Sequence, residues 1–256
     1  MPQRILPLLI GLASLFAPAA PTAAADPPSL TVFAAADLAF ALRELTPLFE
    51  NANGVEVTLS LGSTGNLAAQ IENGARADVF FAADESYVDR LAAGGAVVPE
   101  SRTLYARGRI VLATPKDAVR RPNQLTDLLD PGIRRIAIAN PLHAPYGKAA
   151  EQAMRKVGVW DTLRPKLVYG ENVRQTLQFI QVGAVDAGIV ALSVANVPEI
   201  AWTPIDPGLH APLNQAAAVV TRSRRPDVAR AFIRFVVGPE ARPTMKKYGF
   251  LLPGEF

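Results

Sequence analysis

The stretch Val55-Glu56-Val57-Thr58-Leu59-Ser60-Leu61-Gly62-Ser63-Thr64-Gly65-Asn66-Leu67-Ala68-Ala69-Gln70-Ile71 decides how this chain is read. Residues 55–61 alternate apolar and polar, which predicts a strand, and Leu67 to Ile71 reads as a helix. Two hydroxyls, Ser63 and Thr64, and several backbone N–H groups therefore gather where a strand turns into a helix start. A helix start carries unpaired N–H donors and partial positive charge, so it can receive an anion without any Lys or Arg. Ser, Thr and Asn are also common helix caps, so the segment alone leaves a plain capping turn open.

The pattern repeats on both sides of this segment. Leu30 to Ala35 predicts a buried strand, with Asp37 as the N-cap of a helix carrying Leu38, Ala41, Leu42, Leu45 and Phe49 at helical spacing. Pro47 predicts a kink or a split in that helix. Ala77 to Ala82 is a further strand and Ser86 to Ala93 a further helix, so a parallel sheet with right-handed crossovers is expected. Near Tyr105 to Arg109 the pattern changes, and a second αβ series begins with the strand Arg109 to Thr114. It continues with strands at 135–139, 166–169 and 187–191 and helices at 124–129, 147–157 and 173–182. The chain returns through Ala216 to Thr221 and closes with helices at 226–237 and 240–248. Two αβ lobes with two crossing connections fit this order better than one long sheet.

The polar turns fall in one place. Asp37, Ser63-Thr64, Asn140 to Gly147, Glu171-Asn172-Val173 and Ser193 all follow the carboxyl end of a strand. Open α/β sheets bind ligands at those ends, and two facing lobes would gather the turns around one cleft.

Composition limits the function. The chain has 256 residues, 50% hydrophobic and 19% charged, which describes a globular protein. Arg4, the apolar run Ile5 to Phe16 and the small residues Thr22 to Ala25 have the layout of a secretory signal peptide over residues 1–25. The run is too short, and too soon broken by Pro18 and Pro21, to span a membrane. With no cysteine there is no lipoprotein anchor and no disulfide. The formal charge is only +3, and short basic clusters such as Arg222 to Arg225 lack interleaved aromatics, which argues against nucleic-acid binding. Two histidines, His143 and His210, without cysteine argue against a transition-metal site.

Six pieces in order carry a resemblance: Val32-Phe33-Ala34-Ala35-Ala36-Asp37-Leu38, Gly62 to Ile71, Ala77 to Asp84, Ala139-Asn140-Pro141-Leu142-His143-Ala144-Pro145-Tyr146-Gly147, Gly170-Glu171-Asn172-Val173-Arg174 and Lys247-Tyr248-Gly249-Phe250. Through them the chain resembles the periplasmic molybdate-binding proteins of ABC importers over nearly the whole length after residue 25. The resemblance implies an α/β fold of two Rossmann-like lobes joined by a two-strand hinge, the type II periplasmic-binding-protein arrangement. The lobes would comprise residues 26–107 with 218–256, and 108–217. It also implies a periplasmic, monomeric receptor that holds molybdate or tungstate by neutral hydrogen-bond donors and passes it to a membrane permease. No cofactor, direct cation ligand or catalysis is implied.

Carried over by position, the site falls on Asp37, Ser63, Thr64, the backbone N–H groups of Tyr146 and Val173, and Ser193. Ser193 stands two residues beyond Ala191, where the family often has a tyrosine hydroxyl. The physics suits such a shell, since each charge-assisted hydrogen bond contributes about 1.5–3 kcal/mol. A shell of donors alone also favours a fully deprotonated anion.

Asp37 departs from the family, which often has a hydroxyl there. A carboxylate aimed at a dianion would repel it, so Asp37 is expected to cap its own helix and offer the ligand its backbone N–H. His143 is read as a loop or lobe-contact residue, and Glu171 and Arg174 as cleft-edge groups. Asp37 keeps open a receptor of the same fold for another oxyanion or a small organic anion. An exported hydrolase is the other rival, but Gly62-Ser63-Thr64-Gly65 lacks the G-x-S-x-G spacing and neither histidine has a clear partner in the sequence.

Overall fold

The computed structural model describes residues 29–256. The signal peptide read over residues 1–25 lies outside them. The first lobe begins with β1 (Ser29–Ala35), a 3-10 turn over Ala36–Leu38 and α1 (Ala39–Asn53). It continues with β2 (Glu56–Gly62), α2 (Thr64–Glu72), β3 (Val79–Ala82), α3 (Glu85–Ala93) and β4 (Thr103–Gly108). After Arg109 the chain enters the second lobe with β5 (Ile110–Pro115), β6 (Ile136–Ala139), α4 (Pro145–Lys156) and α5 (Trp160–Leu163). Next come β7 (Leu167–Gly170), α6 (Val173–Gln181), β8 (Ala187–Ala191), α7 (Leu192–Ala195) and β9 (Ile200–Pro204). The return delivers β10 (Leu213–Val219), α8 (Pro226–Val237) and α9 (Arg242–Lys247) to the first lobe.

Each lobe is built on a five-stranded sheet, ordered β2-β1-β3-β10-β4 in the first and β7-β6-β8-β5-β9 in the second. β1, β2 and β3 run parallel as expected, and each sheet is made mixed by strands outside that series. β10 runs antiparallel to β3 and β4, and β5 antiparallel to β8 and β9. The cause is the pair of crossings, since a strand that arrives from the other lobe enters its sheet from the opposite end. The second crossing is complete by Leu213, where β10 begins, so residues 213–217 belong to the first lobe rather than the second.

The parallel registers set the site. Ala35 of β1 lies beside Gly62 of β2, and Ala139 of β6 beside Gly170 of β7. Four carboxyl ends thus stop level in pairs, and the turns that follow them face the cleft. The central strands β3 and β8 are buried along their whole length, as strands covered by helices on both faces must be. Beneath α1 and α8, Phe49 packs edge-on against Phe232 at 4.9 Å, and Phe232 edge-on against Phe81 at 5.8 Å. Such aromatic pairs each add about 0.5–1.5 kcal/mol beyond their area burial.

α1 runs unbroken through Pro47, so of the expected kink or split the split does not occur. Pro47 is exposed, so the carbonyl it deprives of a partner can bond to water, while Leu42, Leu45 and Phe49 hold the other face in the core. The turn holding Asp37 is also not the cap expected. Asp37 lies inside the 3-10 turn, and its side chain makes no capping hydrogen bond.

Candidate functional site

The lobes meet with little space between them. Asp37, Ser63 and Thr64 from the first lobe and Tyr146 and Val173 from the second line one narrow cavity of about 10 Å³. That is about the space one water needs and far below the roughly 300–1,000 Å³ of sites for drug-sized ligands, so the closed cleft has no room for a sugar or peptide. No Lys, Arg or His lines it, and Asp37 is its one ionisable carboxyl group. Among the described residues no group of three or more His, Cys, Asp or Glu could hold a metal ion. Ser193 does not line the cavity. It is buried on α7, which packs against the Asp37 turn, and its Oγ has no hydrogen-bond partner.

Each candidate donor stands at a helix start. Ser63 holds the N-cap position of α2 in extended conformation, but its hydroxyl caps nothing. The Oγ lies 2.8 Å from His143 Nδ1 of the opposite lobe instead. Thr64 Oγ1 accepts from the Ala83 N–H at 3.0 Å, which fixes the side chain and leaves its own O–H to donate. On α4 the first helical residue is Pro145, which has no N–H, so Tyr146 carries the first donor of that helix. Gly147 follows because a Cβ there would run into the Ala139 carbonyl. On α6 the Asn172 side chain caps the Arg174 and Gln175 N–H groups, and Asn172 O takes the Thr176 N–H. Val173 is the first-turn N–H left outside that capping scheme.

Asp37 sits in a buried network that spans the lobes. Its Oδ2 accepts from the Tyr146 hydroxyl and from Gln215 Nε2, each at 2.8 Å. Gln215 Nε2 also lies 2.8 Å from the Tyr146 hydroxyl oxygen. Oδ1 has no partner. Burial lifts the Asp37 pKa to about 6, against the pull of the Gln215 and Tyr146 hydrogen bonds and of the nearby Asp37 and Leu38 N–H groups. Those two N–H groups draw the pKa down without meeting hydrogen-bond geometry at Oδ1. The Tyr146 and Tyr105 hydroxyls are pushed well above their ordinary range by burial and by the Asp37 charge.

Gln215 and the latch at His143 were not singled out from sequence as site groups. Gln215 follows Asn214 and directly precedes the buried run Ala216-Ala217-Ala218, which was a usable signal. His143 binds the first lobe twice, through Nδ1 to Ser63 and through its carbonyl, which accepts the Gly65 N–H at 2.9 Å. The reading that neither histidine has a partner is therefore corrected. A Ser–His contact is also part of a hydrolytic triad, but among the described hydrogen bonds no carboxylate orients His143. Glu171 accepts from Asn66 at the cleft rim at 3.4 Å, and the Arg174 guanidinium lies 4.4 Å from the Phe40 ring centroid of the other lobe.

Two lobes, two crossings and a small donor-lined cleft define a two-lobed solute-binding protein. The chain belongs to the bacterial extracellular solute-binding proteins, whose family model matches residues 30–251. It is 35% identical to the molybdate-binding protein ModA of Escherichia coli, over 98% of this chain and 100% of that protein. It is 32% identical to the ModA protein of Rhodobacter capsulatus, over 98% of each. The solved structure of the periplasmic molybdate-binding protein of Azotobacter vinelandii superposes with a TM-score of 0.81 at 34% identity, covering 88% of this chain and 99% of that one.

Proposed function

We propose that this chain is a periplasmic, monomeric receptor that captures molybdate or tungstate between its lobes and delivers it to the permease of an ABC importer. The observation that carries the reading is the donor set. Ser63 and Thr64 of the first lobe and Tyr146 and Val173 of the second line one small cavity with no basic side chain, and their hydroxyls and helix-start N–H groups are the donors this reading assigns. Donors preset at helix starts replace an oxyanion's water shell with little rearrangement, and closure shifts an open–closed equilibrium that a permease can read. No cofactor and no chemistry belong to this reading, and Ser193 acts only as support for the Asp37 turn. The names of the relatives point the same way.

One observation favours a second reading. Asp37 puts a carboxyl group in the same cavity, which suits an oxyanion that carries its own hydrogen, such as hydrogen phosphate. Titration calorimetry with molybdate, tungstate, sulfate and phosphate separates the two. Tight binding of molybdate or tungstate with weak phosphate binding is expected. Tight phosphate binding with no heat from the first two would overturn the main reading.

A further inference from the structure

We propose that Asp37 enters the closed, anion-bound state as a neutral carboxylic acid, so that each oxyanion captured brings one proton with it. The inference rests on the oxyanion-receptor reading and adds a role for the residue that departs most from it.

The geometry argues for the acid form. Asp37 is 1% exposed and lines the same cavity as the donors. Its Oδ2 is saturated by Tyr146 and Gln215, whereas Oδ1 is buried without a partner. A carboxylate oxygen buried and unpaired is costly. A carboxylic acid places its hydrogen there, and the oxygen becomes a donor like the rest of the shell.

No neighbouring charge compensates the ionised form. From α4 and β4 the groups facing Asp37 are the Tyr146 and Tyr105 phenols, and from β10 the neutral Gln215. α7 has no charged residue. On α6, Arg174 is stacked on Phe40, and on α1, Arg43 lies 5.8 Å from the same ring centroid. Glu44 of α1 is bound to Lys247 and Tyr248. His143 sits on Ser63. In the closed lobes burial raises the Asp37 pKa to about 6 before any anion is present. A dianion beside it raises the pKa again, because like charge disfavours the ionised form. Free protein above that pH is ionised at Asp37, the complex is not, and the difference is one proton drawn from solvent. The sign follows: affinity is highest where Asp37 is already protonated and falls by about tenfold per pH unit between the free and bound pKa values.

The test is calorimetric titration of the whole protein with molybdate in two buffers of different ionisation enthalpy, across a pH series. Molybdate is a full dianion at pH 7 to 8, so its own protonation does not enter the count there. Uptake of about one proton is expected near pH 8, shrinking toward zero near pH 5.5, with about tenfold weaker binding at pH 8 than at pH 7. Asp37→Asn keeps the shape and a donor, so it is expected to bind with no proton uptake and a flat pH profile. His143→Gln is expected to keep the proton count, because the proton belongs to Asp37. Tight wild-type binding with no proton uptake near pH 8 would overturn the proposal. So would a folded Asp37→Asn protein that loses molybdate at every pH, since Asp37 would then be an acceptor. If Asp37→Asn does not fold, the wild-type proton count decides alone. No heat from molybdate or tungstate at any pH would sink the receptor reading itself, a result distinct from proton-free binding.

Discussion

The Gly65 amide of the first lobe donates to the His143 carbonyl of the second at 2.9 Å, and a Cβ on Gly65 would stand 2.8 Å from that same oxygen. Closure thus depends on the absence of a side chain at one position of the Ser63 loop. The hydrogen bond fixes how close the lobes come, and the glycine permits it.

Gly65→Ala is therefore expected to hold the lobes apart without harming either one. Losing one interlobe hydrogen bond costs about 0.5–1.5 kcal/mol, and the added contact pushes further in the same direction. Affinity is expected to fall about tenfold or more. Melting temperature should stay within about a degree or two, because α2 tolerates alanine. Small-angle scattering should show a larger radius at saturating anion than for the wild type. An unchanged affinity would mean that the contact at His143 does not govern closure.

Ser63 and Thr64 stand side by side and should behave differently. Ser63 Oγ has only His143 as a partner, so Ser63→Ala is expected to weaken anion binding by about one to two orders of magnitude, with little change in melting temperature. Thr64 Oγ1 accepts the buried Ala83 N–H, so Thr64→Val leaves that donor unpaired and costs about 1–3 kcal/mol of stability as well as affinity. Paired calorimetry and thermal melts check this split. Equal effects on both quantities in both variants would contradict it.

Asp37 also makes stability depend on pH. Its folded pKa, about 6, lies above the ordinary value of 3.8. A raised carboxyl pKa means that the folded state holds the proton more tightly. The associated stability is present below pH 3.8 and is lost as pH rises through about 6. Asp37→Asn removes the ionisation, so it is expected to be more stable than wild type by up to about 3 kcal/mol near pH 8, with the gain gone near pH 4. Comparing the two proteins at each pH cancels the surface carboxylates, such as Asp186, whose pKa is lowered by N–H donors against the opposing effect of burial. No gain for the asparagine variant at high pH would show that the carboxylate is better solvated than its burial implies.

The strand ends and helix starts that frame the cleft were legible because their signals are local. Alternation marks β2, helical spacing marks α1, and Asn172 caps α6 from the next residue. What escaped depends on distant partners. The edge strands β4 and β9 were missed because each takes its place only by pairing with a strand far along the chain. Strand direction likewise follows from the lobe crossings. Local reasoning made Asp37 a helix cap, but its carboxylate is claimed by Tyr146 and Gln215, 109 and 178 residues away. His143 finds Ser63 across a separation of 80 residues, which no spacing rule could supply.

The central claim is that one oxyanion sits between the Ser63-Thr64 turn and the helix starts at Tyr146 and Val173. A crystal structure of the molybdate complex, with anomalous scattering collected at the molybdenum edge, tests it most directly. The account predicts a single strong anomalous peak inside that cavity, with molybdate oxygens within hydrogen-bond distance of the Ser63 hydroxyl and the Tyr146 and Val173 N–H groups. A peak elsewhere on the protein, with none between the lobes, would contradict it.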